Sequence, residues 1–263
     1  MKLSVIIPSY RDPYLHKTVA SLLKNSELPQ DELEIVVCLD GYWFKEPLQE
    51  DSRIKVIHLG KNVGMREAIN TGVRVSTGEY IMRTDEHSKF DKGYDVKLLA
   101  NIEDNWIVTP RRYFLDPEKW ERMDLPYVDY EKLVIQGGKK FAGQNWKSRT
   151  EERKDIMIDE TMAMQGSCWI MKRSWWDKVI IELDTEGYGP LIQDSHEMVF
   201  KTWKAGGKMM LNKMTWHSHK HRSFSRTHNN GTKENPSNDE KGYAYALEIW
   251  GEYYKEIKAK WKI

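Results

Sequence analysis

The chain has 263 residues, enough for one large α/β domain or two small ones with a sizeable core. Its 41 Lys+Arg offset 40 Asp+Glu, so bulk charge singles out neither a nucleic acid nor an acidic substrate. Two cysteines, Cys38 and Cys168, exclude a disulfide framework and match no zinc spacing, and no run reaches the ~20 apolar residues of a membrane span.

The first apolar run ends at Pro8, too soon for a signal peptide, so a soluble, cytoplasmic protein is expected. Residues 3–7 are β-branched and uninterrupted, the pattern of a fully buried strand. A helix follows, with Asp12 as its cap, Pro13 in its first turn, and Leu15, Val19, Leu22 and Leu23 at helical spacing. Residues 34–39 and 54–59 read as two more strands, the first ending at Asp40-Gly41. Residues 62–76 read as a helix with Met65, Ile69 and Val73 on one face. Residues 80–84 and 105–109 complete a strand–helix alternation that predicts a doubly wound, mostly parallel sheet. Residues 113–161 have weak periodicity and read as loops and short elements covering the sheet. Residues 162–171 re-enter the core, a helix spans about 196–205, and 208–211 form a last strand. Residues 223–242 read as a mobile loop. In the closing helix Leu247, Trp250, Tyr254, Ile257 and Trp261 share a face.

In such sheets ligands bind beyond the carboxyl ends of the strands. Three strand ends there carry polar residues: Pro8-Ser9-Tyr10-Arg11, Asp40-Gly41 and Asp85-Glu86-His87. No GxGxxG follows the first strand and no GxxxxGK[ST] occurs, which argues against a dinucleotide fold and a P-loop. Asp85 and His87, one residue apart at a strand end, point the same way and can share a cation. Oxygen and nitrogen ligands suit Mn²⁺, with Mg²⁺ and zinc also open; Glu86 points away. His217, His219 and His221 alternate on an extended segment. They fit a solvated strand end, a structural zinc cluster, or a distant ligand for the Asp85/His87 pair. Asp194 and Glu197 open the later helix, where acids suit the dipole and where a carboxylate could also serve as general base.

These motifs, taken together, resemble a family. The opening "SVIIPSYRD", the strand end "CLDG" and the block "NVGMREAINTGVRVSTGEYIMRTDEH" are similar to GT-A glycosyltransferases of the family 2 type. The later segments "MAMQGSCWIMKRSWW" and "QDSHEMVFKTWKAGGKMML" resemble the polypeptide N-acetylgalactosaminyltransferase-like branch, whose DxH motif corresponds to Asp85-Glu86-His87. That branch has a metal-binding histidine twelve residues past its Gly-Gly pair; the position here is His219.

The resemblance implies a single GT-A domain. Residues 1–105 would bind the nucleotide-sugar, 106–222 the acceptor and catalytic groups, and 223–263 would form a mobile loop and a helix. Its activity would be metal-dependent transfer of a sugar from a UDP-sugar to a hydroxyl. Asp85, His87 and His219 would bind Mn²⁺ or Mg²⁺. Pro8, Tyr10, Arg11, Asp40, Asn62, Arg66, Thr84 and Asp85 would hold the donor, with Arg66 near the diphosphate or uridine. Asp194 and Glu197 are the catalytic candidates, and Arg222 and Arg226 would add donors as the loop closes. Asp194-Ser195 departs from the Glu-Asp often found in inverting family 2 enzymes, so either Asp194 is the base from a shifted position or the enzyme retains configuration as that branch does, with a slight lean to retention. The branch's lectin domain has no counterpart, so its peptide acceptor does not carry over. A glycan is the default acceptor, and a hydroxymethylated DNA base is kept open by Arg111-Arg112, Lys139-Lys140 and 217–226. The rival reading is a non-catalytic nucleotide-sugar or nucleic-acid binding protein with a structural zinc site.

Overall fold

The computed structural model describes residues 2–221 and 239–263. Its centre is a ten-stranded sheet. Strand β1 (Leu3–Ser9) lies in the middle, between β2 (Leu33–Asp40) and β4 (Tyr80–Thr84), and β3 (Ile54–Leu59) extends the edge beyond β2. These four pair in parallel. Every residue of β1 and β2 is buried, because helices cover both faces, and this explains their unbroken apolar runs. The edge strand β3 is more exposed and correspondingly more polar.

Helix α1 (Leu15–Asn25) packs one face with the expected Leu15, Val19, Leu22 and Leu23. Helix α2 (Met65–Val75) packs the other with Ala68, Ile69 and Val73. It begins at Gly64, whose φ of +94° suits glycine, and a Cβ there would sit 2.3 Å from that of Pro190. Asp12 is not the cap of α1. Its Oδ1 accepts from the Tyr14 amide at 2.8 Å in a short turn before the helix, and its other oxygen is used elsewhere.

Beyond β4 the sheet continues through β11 (Cys168–Lys172), β6 (Trp106–Asp116), β12 (Lys208–His219) and β10 (Ile158–Glu160). The strand expected at 105–109 runs on to Asp116, and the one expected at 208–211 runs on to His219, its pairing with β6 shifting register between Asn212 and Trp216. That shift lets the far part of β12 also pair with β5 (Ser88–Phe90), with His219 opposite Ser88. Short strand β7 (Glu121–Arg122) joins β6, and α3 (Tyr94–Leu99) follows β5. The weakly periodic middle is a hairpin, β8 (Glu131–Gln136) and β9 (Lys140–Asn145), followed by α4 (Lys147–Glu152). Helical turns α5 (Arg173–Trp175) and α6 (Asp194–Lys204) complete this half. The closing helix α7 (Asp239–Trp261) buries Gly242, Ala246, Trp250, Tyr254 and Ile257, with Leu247 and Trp261 partly buried beside them. The mobile loop expected from 223 and the residues Arg222 and Arg226 lie outside the described residues, except for 239–242, which are the first turn of α7.

Candidate active site

A cavity of about 460 Å³ opens at the carboxyl ends of β1, β2 and β4. Its lining includes Pro8, Ser9, Tyr10 and Asp40, the cluster of Asp85, His87 and His219, and residues of the β8–β9 hairpin and the start of α6.

The cluster is built by backbone pairing. The Asp85 amide donates to the Ser167 carbonyl at 3.0 Å, and the Lys220 amide donates to the His87 carbonyl at 3.1 Å. Residues 85–87 are thus fixed against both the loop before β11 and the end of β12. His219 Nε2 lies 2.9 Å from Asp85 Oδ2, and His87 Nε2 lies 3.9 Å from the same oxygen. Asp85, His87 and His219 each present one ligand atom, all within 4.8 Å of one another.

The surroundings leave these atoms facing each other. Arg83 Nη2 holds Asp85 Oδ1 at 2.6 Å, so Oδ2 is the oxygen turned to the histidines. Asp12 Oδ2 holds His87 Nδ1 at 3.0 Å, leaving Nε2 as the inward atom. A carboxylate on the outer nitrogen is the usual way a ligating imidazole is oriented and made more basic. Burial pushes the Asp85 carboxyl up, but Arg83 and His219 outweigh it and hold it well below the usual carboxylate range. Burial pulls His219 down to about 4, against the pull of Asp85, so its imidazole is neutral at physiological pH. An ionised carboxylate and a neutral imidazole are the forms that bind a metal. This donor set fits a divalent cation that accepts both oxygen and nitrogen.

Asp12, Glu86 and His87 make a second close grouping, but its atoms are spent. Asp12 is on His87, and the Glu86 carboxylate accepts the Tyr10 amide at 3.1 Å. Glu86 therefore points away from the Asp85 oxygen pair, as expected from its position, and braces the turn after β1. Neither Asp12 nor this role of Glu86 was legible in the sequence. Asp12-Pro13 carried the ordinary signature of a helix start, and His87 reaches it because Thr18 of α1 holds the turn on both sides, donating to the Glu86 carbonyl at 2.9 Å and accepting the Ser88 amide at 2.9 Å.

The expected donor residues divide. Pro8, Tyr10, Asp40 and Asp85 line the cavity. The Asp40 carboxylate is committed to the loop before α2, accepting the Val63 amide at 2.6 Å, the Gly64 amide at 2.9 Å and Asn62 Nδ2 at 2.7 Å. Arg11 is exposed, with its guanidinium 5.3 Å from the Tyr10 ring centroid. Thr84 is fully buried and donates to the Ser167 carbonyl at 3.2 Å, so it acts on the backbone. Arg66 does not face the cavity. It is 0% exposed, pairs with Glu197, and donates to the carbonyls of Asp184 at 2.9 Å and Ile192 at 2.6 Å. Its position on the inward side of α2 ties that helix to α6.

Glu197, 1% exposed, is the other half of that tie and also pairs with Lys201 at 2.8 Å, which corrects its reading as a catalytic carboxylate. Asp194, one turn earlier, lines the cavity beside Gly166, and its Oδ2 has no hydrogen-bond partner among the described residues. The three alternating histidines part company. His217 Nε2 meets Ser167 Oγ at 3.0 Å, His219 meets Asp85, and His221 Nε2 meets Arg112 Nη1 at 2.9 Å. They form no common zinc cluster among the described residues. Nor do Arg111 and Arg112 share a surface: Arg111 is held bidentately by Asp129 at 2.8 Å, whereas Arg112 lines the cavity.

The family model for glycosyl transferase family 2 matches residues 4–180. The chain belongs to glycosyl transferase family 2. Among curated relatives, polypeptide N-acetylgalactosaminyltransferase 3 from Mus musculus is 24% identical over 92% of this chain and 38% of its own length. The uncharacterized glycosyltransferase YwdF from Bacillus subtilis is 33% identical over 39% of each chain. This family 2 chain thus spans well under half the length of these relatives. Its fold is that of a crystal structure of GalNAc-T7 with UDP, GalNAc and Mn²⁺, at a TM-score of 0.75 and 19% identity over 97% of this chain and 50% of that one. A more distant likeness is to S. aureus TarS 1-349, at a TM-score of 0.56 and 15% identity, covering 84% of this chain and 60% of that one. No helix among the described residues is long and apolar enough to cross a membrane.

Proposed function

We propose that this chain is a metal-dependent glycosyltransferase that moves a sugar from a UDP-sugar to a hydroxyl acceptor. The observation that carries the reading is the convergence of Asp85, His87 and His219 at the wall of a cavity that Pro8, Tyr10 and Asp40 also line. Family membership and the shared fold with an enzyme solved with UDP and Mn²⁺ support it.

In this reading the turn after β1 and the end of β2 seat the nucleoside. Glu86 and Asp40 hold that seat in place through backbone amides instead of touching the ligand. Asp85, His87 and His219 would hold the divalent cation, with Asp12 and Arg83 fixing two of them. When bound, the cation supplies Lewis-acid stabilisation of the negative charge that develops on the departing diphosphate. Asp194 is the carboxylate that meets the reacting hydroxyl. Its carboxylate, on the cavity wall, would take the proton as the acceptor oxygen bonds to the anomeric carbon and the bond from that carbon to UDP breaks. Glu197 and Arg66 keep α6 in place and take no part in proton transfer.

The test is a screen of UDP-sugars for UDP release with and without Mn²⁺. The reading expects release with at least one donor only when metal is present. It also expects Asp194→Asn to lower turnover at least a hundredfold with UDP affinity nearly intact. Metal-independent release would overturn the metal role, whereas no release from any donor, with stoichiometric zinc whose removal unfolds the chain, would instead support a binding protein with a structural metal.

A further inference from the structure

Helix α1 packs with an apolar face, yet it also buries two hydroxyls. Thr18 is 0% exposed and Ser21 5% exposed, beside the buried Leu15, Val19 and Leu22. A buried hydroxyl in a helix ordinarily bonds a carbonyl of its own preceding turn. Thr18 spends its hydroxyl outside α1 instead. It donates to the Glu86 carbonyl and accepts the Ser88 amide, both at 2.9 Å, so one side-chain oxygen spans the residue between them, His87. Ser21, three residues on and on the same side of the helix, accepts the Phe90 amide at 3.0 Å. Further along that side the Asn25 carbonyl accepts the Gly93 amide at 2.7 Å.

Strand β5 explains the hydroxyls. It pairs with β12 alone among the described residues, so its other edge has no neighbouring strand. Backbone amides buried on such an edge are costly without acceptors. Ser88 and Phe90, both buried, are alternate residues of β5 and turn their amides to the same edge. The two hydroxyls of α1 meet them there. The helix thus stands in for a missing strand, and it holds the segment that carries His87.

The three proposed metal ligands are not held alike. The Asp85 amide is fixed to the Ser167 carbonyl, and His219 is the last residue of β12, inside the sheet. His87 lies in the turn between β4 and β5. Its ring is oriented by Asp12 and its flanking backbone is bridged by Thr18, so both holds come from the stretch 12–18. We propose that Thr18 is a positioning residue for the metal site: by bridging residues 86 and 88 it sets where the His87 imidazole stands opposite Asp85 and His219. The inference rests on the metal reading proposed above and extends it to a fully buried residue behind the ligands. Ligating groups must be held within about 0.5 Å of the productive geometry. Without the hydroxyl, the Glu86 carbonyl and the Ser88 amide lose a buried partner on either side of His87, and the turn shifts to find others.

A hydroxyl that served stability alone would leave the metal affinity of the folded chain unchanged. Ser4 supplies that comparison. Its hydroxyl, equally buried, also bridges two groups, donating to Glu34 at 2.6 Å and accepting the Gly78 amide at 2.7 Å. It lies near the start of β1, at the opposite end from the cavity.

The experiment is calorimetric titration of Mn²⁺ into the full chain, with and without UDP, alongside urea unfolding. Thr18→Val keeps the shape of the side chain and removes the hydroxyl. It should weaken Mn²⁺ binding about tenfold or more. Thr18→Ser keeps the hydroxyl and should stay within about threefold of the unsubstituted chain. Ser4→Ala should lower the urea midpoint and leave Mn²⁺ affinity within about twofold. Unchanged affinity in Thr18→Val, or an equal loss in Ser4→Ala, overturns the inference. If Thr18→Val does not fold, Ser21→Ala takes its place: a loss of about threefold or more supports the inference, and unchanged affinity overturns it. If the unsubstituted chain binds no Mn²⁺ under either condition, the metal reading fails, and the clamp on residues 86–90 is read by amide hydrogen exchange. Exchange about tenfold faster or more in Thr18→Val or Ser21→Ala, confined to those residues, supports the clamp. Exchange raised throughout the sheet, or nowhere, overturns it.

Discussion

Two places in this molecule bury opposite charges close together, and they end differently. At the seam between α2 and α6, Arg66 and Glu197 fill each other's bonding capacity, helped by Lys201 and two carbonyls. At the end of β4, Asp85 is held by Arg83 on one oxygen only, and its other oxygen faces two imidazole nitrogens across an opening to the cavity. The first arrangement is complete without a ligand. The second brings three ligand atoms within 4.8 Å of one another at the cavity wall. A motif of ionisable residues does not distinguish the two cases; what each side chain still has to offer does.

Substitutions can break this contrast. The largest expected effect is at the open cluster: Asp85→Ala should lower metal-dependent UDP release by a thousandfold or more, an effect that outweighs the stability lost when the buried Arg83 gives up its carboxylate partner. Glu197→Ala should do the reverse. Removing one partner of a buried pair costs about 3–5 kcal/mol, so urea unfolding should shift sharply while metal affinity of the folded protein is retained. An equal loss of activity and stability in both variants would erase the distinction.

Glu34 sharpens the saturated side of the comparison. It accepts from Ser4 Oγ at 2.6 Å and the Thr77 amide at 2.5 Å, and pairs with Lys55 at 2.5 Å. Although burial alone would raise it, these partners lower its carboxyl from 4.5 to about 2. The unfolded chain therefore binds this proton first as pH falls. The stabilisation, about 3 kcal/mol, is present above pH 4.5 and lost as pH drops towards 2. The unfolding free-energy difference between the wild type and Glu34→Gln should shrink over that interval; a difference constant with pH would contradict the assignment. The smallest effect belongs to Asp12. Asp12→Asn should weaken Mn²⁺ binding by about 10–100-fold, read by calorimetry, because His87 loses the carboxylate that orients it. Unchanged affinity would leave Asp12 a turn residue and nothing more.

The contrast also explains what the sequence could reveal. Strands β1, β2 and β4 were legible because burial on both faces writes itself as β-branched runs, and α1 and α2 because their inward residues recur every three or four positions. The convergence of Asp85, His87 and His219 was expected only through the ordered set of motifs, since spacing alone left His217, His219 and His221 equivalent. Pairing separates them: β5 draws the end of β12 to Asp85, and His217 falls one register deeper, against Ser167. Arg66 and Glu197 were misjudged because a charged residue in a matching motif reads as functional until its partner is known. Thr18 was not found at all. It reads as a polar position beside the apolar face of α1, and its bonds to residues 86 and 88 join segments far apart in the chain.

The most direct test of the central claim is calorimetric titration of UDP into the chain with and without Mn²⁺, repeated for Asp85→Ala. The account predicts tight UDP binding only with metal present and its loss in the variant. Binding of equal strength without metal, or undiminished in Asp85→Ala, would contradict it.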